Sequence, residues 1–373
     1  MDKLNAPFRY DIVGSFLRPE AIKTARAQYA QGWIALDQLR DIEDVEVAKL
    51  IESQKAAGLH AVTDGEFRRR WWHLDFLAGF NGIEVYDFET DGFGVKKMMQ
   101  STYVSEPLSF DPAHPFLEGF KRTQEIAGDV PVKQTIAGPN MITLDSVVLS
   151  AQYAANPVYR DLDELREALA KVYQDAIRAF YDAGCRYLQL DDTSWGALFS
   201  KRFRDRITAC GYDPDKLIDV FGDITEAALE GRPSDMVITT HMCKGNFMSH
   251  WLYEGTYETV ARRLLGIRGI DGFFLEYDDE RSGDFSPLRF LPKDTDQRVV
   301  LGLVTTKDPK LEDAAPIRDR IYEAAKVVDL DRLCLSPQCG FSSTEEGNVL
   351  SEEDQWKKLK LVREVAESVW ADA

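Results

Sequence analysis

The sequence predicts an α/β protein and, within that class, a (β/α)8 TIM barrel. Short apolar runs alternate with helical patterns along nearly the whole chain, as the βα units of a parallel sheet do. Eight such runs can be counted, the number that closes a barrel. Polar residues stand at the C-terminal end of each unit, where such a barrel carries its active site: Ser15, Asp64 and Glu66, Asn140, Asp191 and Asp192, His241 and Cys243, Glu276, Lys307 and Cys339.

The first strand is expected over residues 10–15, followed by helices over 20–29 and 36–57, the second capped by Gly58 in a left-handed conformation. A second strand over 60–63 leads into Asp64-Gly65-Glu66-Phe67. Residues 71–129 break the pattern with aromatic, Gly-containing and alternating stretches, the last at 94–103; they read as an inserted hairpin plus a short helix. The third strand, 132–137, ends in Gly138-Pro139-Asn140. A long helix over 162–183 stops at Gly184 and feeds the fourth strand, Tyr187-Leu188-Gln189-Leu190-Asp191-Asp192. The helix over 214–229, with Asp213 as its cap and Pro214 in its first turn, precedes the fifth strand, 236–243. A helix over 257–265 follows; strands over 272–276, 299–305 and 332–336 complete the set, and helices over 312–328 and 352–370 flank the last strand. With no short repeat, low-complexity tract or Pro/Gly/Ser linker, residues 1–373 read as one domain with an insertion at about 71–129.

A net charge of −18 argues against nucleic acid and anionic membranes as partners, since phosphate binding needs a basic surface. No segment reaches the roughly 18 consecutive apolar residues of a membrane span. The N-terminal Met-Asp-Lys-Leu-Asn-Ala-Pro lacks the apolar core of a signal peptide, so the cytoplasm is expected. Five scattered cysteines, Cys185, Cys210, Cys243, Cys334 and Cys339, suit reduced thiols better than a disulfide framework. Cys185, Cys210 and Cys334 are read as packing residues.

The fifth strand ends in Thr239-Thr240-His241-Met242-Cys243. Side chains two apart on a strand share a face, so His241 and Cys243 present a nitrogen and a sulfur to one point. Alone, such a pair more often packs than ligates. The barrel changes the weighing, because Glu276 and Cys339 end other units at the same mouth. One nitrogen, two thiolates and one carboxylate suit Zn²⁺. Such an anionic set weakens zinc as a Lewis acid, which disfavours hydrolysis and favours a thiolate nucleophile that attacks an electrophilic carbon.

Val13-Gly14-Ser15-Phe16, Asp64-Gly65-Glu66-Phe67, Gly138-Pro139, Gln189-Leu190-Asp191, His241-Met242-Cys243, Glu276 and Cys339 together resemble the catalytic domain of cobalamin-independent methionine synthase. The resemblance covers most of the barrel. It implies that His241, Cys243, Glu276 and Cys339 hold the zinc and that Ser15, Glu66 and Asp191 hold the amino-acid end of homocysteine. It implies a methyltransferase of methionine biosynthesis, with a small-molecule thiol and a methyl donor as its partners. The chain departs from the family in three ways. It has no room for a second, N-terminal barrel. Thr305-Thr306-Lys307 stands where the family has a proton-donating histidine, leaving Lys307 as the expected donor. Ile142, Thr143, Leu144 and Asp145 stand where an aromatic residue stacks on a pterin. The chain is thus closer to the short single-barrel relatives, and its donor is 5-methyltetrahydrofolate or another methyl compound. The alternatives are a thiol alkyltransferase acting on another electrophile such as an epoxide, and a protein in which zinc only staples strand ends. Arg68-Arg69-Arg70-Trp71-Trp72-His73 is read either as a grip for an anionic planar donor or as a packed loop with solvated arginines. The insertion is expected to act as a lid, as a contact in a homodimer, or as both.

Overall fold

The computed structural model of the chain describes residues 3–90 and 97–373. Six parallel strands form its main sheet in sequence order: β3 (Lys133–Ala137), β4 (Tyr187–Asp191), β5 (Val237–Met242), β6 (Gly272–Glu276), β7 (Arg298–Val304) and β8 (Leu333–Pro337). Nearly every residue of these strands is buried, as expected of a parallel sheet covered on both faces. A separate antiparallel hairpin joins β1 (Asn81–Thr90) to β2 (Lys97–Ser109) and is followed by the helix Pro115–Ala127. This is the predicted insertion, with a longer hairpin than the alternation at 94–103 suggested; residues 94–96 lie outside the described residues.

The first two predicted strands are a correction. They survive only as single parallel bridges, Tyr10 to Leu335 at the β8 edge and Val62 to Val132 before β3. Side chains occupy the groups that a ladder would use. Asp11 Oδ1 accepts from the Ile12 amide at 2.7 Å, and the Gln54 amide bonds both Thr63 N at 3.0 Å and Thr63 O at 2.9 Å. Thr63 Oγ1 donates to Gly14 O at 2.6 Å, and Gln189 Nε2 donates to Val13 O at 2.8 Å. The two segments still meet, for Phe16 N donates to Gly65 O at 3.0 Å.

Helix ends follow their sequence signals. Asp213 accepts from Asp215 N at 3.0 Å and Pro214 opens the helix Pro214–Leu229. Gly58 takes φ +85°, and a Cβ there would strike the Arg363 guanidinium. The predicted helix over 257–265 splits into a 3-10 turn, Tyr257–Thr259, and a short helix, Ala261–Leu265. The helix predicted over 312–328 is confined to Ala314–Ala324. Among the described residues no helix is long and apolar enough to cross a membrane.

A buried ion pair ties the first segment to the sheet. Lys133 Nζ lies 3.2 Å from Asp11 Oδ1, donates to Ile12 O at 2.5 Å and sits 3.9 Å from the Phe274 ring centroid. Tyr187 donates to the other Asp11 oxygen at 2.7 Å. Removing one partner strands a charge in low dielectric. Lys133→Met is therefore expected to lower the unfolding free energy by about 3–5 kcal/mol in urea titrations, and adding Asp11→Asn to recover much of that loss. A loss below about 1 kcal/mol would show that the pair does not hold the segment.

Candidate metal centre and substrate cavity

The register of the sheet assembles the site. Asp191 on β4 pairs directly with His241 on β5, and Cys243 follows the end of β5. Cys339 lies just past β8, where its loop turns back across the strand ends. The ligating atoms of His241, Cys243 and Cys339 all fall within 4.8 Å of one another, and all three residues are buried. The two sulfurs are 3.8 Å apart. Sulfurs bonded to one tetrahedral zinc at about 2.3 Å would be about 3.8 Å apart, so the spacing suits that ion.

His241 is oriented for ligation. Its Nδ1 is 3.2 Å from Asp191 Oδ1, which itself accepts from Gln189 Nε2 at 2.7 Å, and its buried Nε2 has no hydrogen-bond partner among the described residues. Burial alone would lower the imidazole's pKa, yet Asp191 and Cys339 hold it up at about 10. The Cys243 thiol beside Cys339, together with His241, holds Cys339 well below the usual thiol range despite its burial. A proton on His241 and the Lys307 ammonium supply the positive charge that faces Cys339. The unpartnered nitrogen, the sulfur spacing and the set of one imidazole and two thiols fit zinc.

Glu276, the fourth expected ligand, is fully buried but lies outside that cluster. Its Oε2 accepts from Lys244 N at 2.8 Å, while Arg281 and Lys307 each reach Oε1 at 3.2 Å. Lys307 also lies 3.7 Å from Asp278. Burial would lower the Lys307 pKa, but Glu276 and Asp278 more than offset it, so the ammonium holds its proton more tightly than an ordinary lysine. The lowered pKa that a proton donor here would need is not what its surroundings produce.

A cavity of about 240 Å³ opens beside the cluster, and Ser15, Glu66 and Asp191 all line it. Ser15 Oγ accepts from Ser342 N at 3.3 Å, and Gly340 packs so closely that any Cβ would collide with that oxygen. Glu66 sits at φ +60°, an uncommon conformation for a residue with a side chain, its amide held by Asp64 Oδ1 at 2.8 Å. Its Oε1 accepts from Thr135 at 3.2 Å and lies 3.7 Å from Arg69, whereas its buried Oε2 has no partner. Burial lifts this carboxyl to about 7 against the pull of Arg69 and Arg18.

The basic-aromatic stretch divides. Arg68 pairs with Asp44 at 2.6 Å, Arg69 bonds Thr135 at 2.8 Å, and Arg70 pairs with Glu345 at 2.9 Å, so the arginines anchor the loop. Trp71, Trp72 and His73 do reach the cavity, and burial pushes His73 down to about 3, leaving a neutral imidazole whose Nδ1 has no partner. Sequence reasoning assigned no role to Asp145, Arg206 and Tyr253, nor to the hairpin residues Tyr86, Phe88 and Met99, all of which line the same cavity.

The family described as cobalamin-independent synthase, catalytic domain, matches residues 10–368. The chain belongs to that family. An uncharacterised Bacillus subtilis protein, YxjH, is 47% identical over 98% of this chain and 95% of its own length. A Listeria monocytogenes structure, described provisionally as a vitamin-B12 independent methionine synthase, shares 40% identity and a TM-score of 0.78 over 98% of both chains. A 5-methyltetrahydropteroyltriglutamate–homocysteine methyltransferase from Trichodesmium erythraeum is 22% identical over 89% of this chain, which spans 40% of that longer protein. Family membership places the chain among methionine synthase-like methyltransferases.

The raised Glu66 pKa has a consequence for stability. Between the ordinary carboxyl value of 4.5 and about 7 the folded chain binds more protons than the unfolded one, so this group makes stability fall as pH rises through that window. In metal-free protein, Glu66→Gln is expected to flatten the slope of unfolding free energy between about pH 5 and about pH 7. An unchanged slope would show that the carboxyl is not held protonated.

Proposed function

We propose that the chain is a zinc-dependent methyltransferase acting on a small thiol, with homocysteine as acceptor and methionine as product. The observation that carries this reading is the meeting of His241, Cys243 and Cys339 in the lining of a cavity that Glu66 also lines, with one carboxyl oxygen of Glu66 left without a partner among the described residues. We also infer that the six strands and two bridges close as an eight-stranded barrel. Support comes from the contacts of the first segment with β8 on one side and with residues 63–65 on the other.

In this reading His241, Cys243 and Cys339 hold the ion, and Glu276 is the fourth ligand when no thiol is bound. Zinc, when bound, supplies the charge that keeps an incoming thiol ionised at neutral pH. Lys307 and Arg281 balance Glu276 whenever the carboxylate is turned away from the ion. Glu66 receives the substrate ammonium, an anionic partner that a buried cation requires, and Ser15 hydrogen-bonds the same end of the molecule. Asp191 has a double part: it lines the cavity and it fixes the His241 tautomer, as carboxylates behind metal-bound histidines do. The reduced thiols this site needs suit the cytoplasm.

One test checks the ligands and a second separates catalysis from a structural ion. Cys243→Ser and Cys339→Ser are expected to lose zinc by metal analysis, and Asp191→Asn to weaken zinc binding by about 10–100-fold. In cobalt-substituted protein, homocysteine is expected to change the visible spectrum, since a catalytic ion keeps a position for substrate. A spectrum indifferent to thiols would mean that the ion only staples the strand ends.

A further inference from the structure

Only part of the cavity lining is accounted for by a thiol amino acid. Much of the rest is aromatic: Trp71, Trp72, Tyr86, Phe88, Phe203 and Tyr253. Asp145 opens into it from the π-helical turn Ile142–Val148, a helix type frequent at functional sites. The Asp145 carboxylate makes no hydrogen bond or ion pair with any described residue. Burial lifts it to about 7 although Arg206 pulls it down. Its neighbour Ser146 shares a buried 2.7 Å hydrogen bond with Thr102 of β2, so the acid and the hairpin wall are one assembly. Tyr253 lines the same cavity as Asp145 and Cys243.

The charges of the lining point the same way. Among the described lining residues, Glu66 and Asp191 are taken up by the ammonium and by His241 in the reading above, which leaves Asp145 and Arg206 as the charged side chains for the donor. Arg206 is exposed and has no ion pair among the described residues. A donor that carries one cationic and one anionic group would match this acid and this guanidinium, whereas a polyanionic donor would place negative charge beside Asp145. A cation would satisfy the acid and the rings together, since aromatic faces attract alkylated onium groups. Lys307 does not line the cavity, and a donor whose leaving atom already carries positive charge needs no proton from it.

Resting on the thiol-methylation reading above, we propose that the methyl donor is a zwitterionic methyl-onium acid, a quaternary ammonium or a sulfonium that also bears a carboxylate. Asp145 and the aromatic wall hold its cationic head, and Arg206 holds its carboxylate. The reaction balances without a further reagent. The thiol proton goes to solvent as the sulfur ionises, and the sulfur forms a bond to the methyl carbon. The carbon–nitrogen or carbon–sulfur bond breaks with its electron pair staying on the leaving atom. Thiolate and onium become a neutral thioether and a neutral amine or sulfide.

The test uses the zinc-loaded full chain with homocysteine present. Glycine betaine and dimethylsulfoniopropionate are titrated by calorimetry against 3,3-dimethylbutanoate, which has the shape and carboxylate of the betaine without its positive charge. At least one onium acid is expected to bind about tenfold or more tighter than the uncharged-head isostere, and to pass a labelled methyl group to homocysteine. Asp145→Asn is expected to erase that preference, and Arg206→Gln to weaken the onium acids while leaving tetramethylammonium unaffected. Equal binding of isostere and onium acids, or an undiminished preference in Asp145→Asn, overturns the proposal. If the Asp145 variant fails to fold, the isostere comparison in the unaltered chain still decides. The thiol reading is scored separately by the cobalt spectrum with homocysteine: a thiol response without onium preference overturns only the donor assignment, and no thiol response overturns both.

Discussion

Two buried sulfurs 3.8 Å apart, with an unpartnered imidazole nitrogen facing the same point, form an arrangement that the interior tolerates poorly without a cation. Buried anionic groups in low dielectric need a counter-charge, and here a proton on His241 and the Lys307 ammonium face Cys339. Everything around the cluster serves that requirement. The β4–β5 register sets Asp191 against His241, and the loop after β8 carries Cys339 back over the strand ends. Glu276 waits nearby, its charge balanced by Lys307 and Arg281.

The cavity inherits its two chemistries from two parts of the chain. Strand ends and the turn after the second bridge provide the polar half, where Glu66 is held in an unusual backbone conformation with one oxygen unpaired. The aromatic lining comes from Tyr86 and Phe88 of the inserted hairpin together with Trp71, Trp72, Phe203 and Tyr253, and the π-helical turn adds Asp145. In the proposed reading, an anion-rich metal site beside aromatic side chains favours a soft sulfur nucleophile and a donor that approaches through desolvated space. The same burial that raises Glu66 to about 7 makes a bound ammonium there more favourable, because the cation replaces the missing solvation.

Much of this was legible in the sequence, for identifiable reasons. The period of two along β5 placed His241 and Cys243 on one face, and the alternation of βα units placed Cys339 near them. Helix ends such as Asp213-Pro214 and Gly58 were readable because their signals are local. The first two strands were over-read, since their apolar patterns are real but side chains of Asp11, Gln54, Thr63 and Gln189 take up the backbone groups. The triplet Arg68-Arg69-Arg70 showed its charge but not its partners, which come from Asp44, Thr135 and Glu345, remote in the chain. Asp145 escaped notice as a site residue because a π-helical turn has no sequence period of its own, and its exposure to the cavity depends on where the hairpin packs.

The central claim is that these side chains hold a zinc ion with a place for an incoming sulfur. X-ray absorption at the zinc edge of the purified chain, with and without homocysteine, tests it most directly. The account predicts two sulfur neighbours at about 2.3 Å without the thiol and three with it. A zinc shell lacking sulfur, or one unchanged by homocysteine, would contradict it.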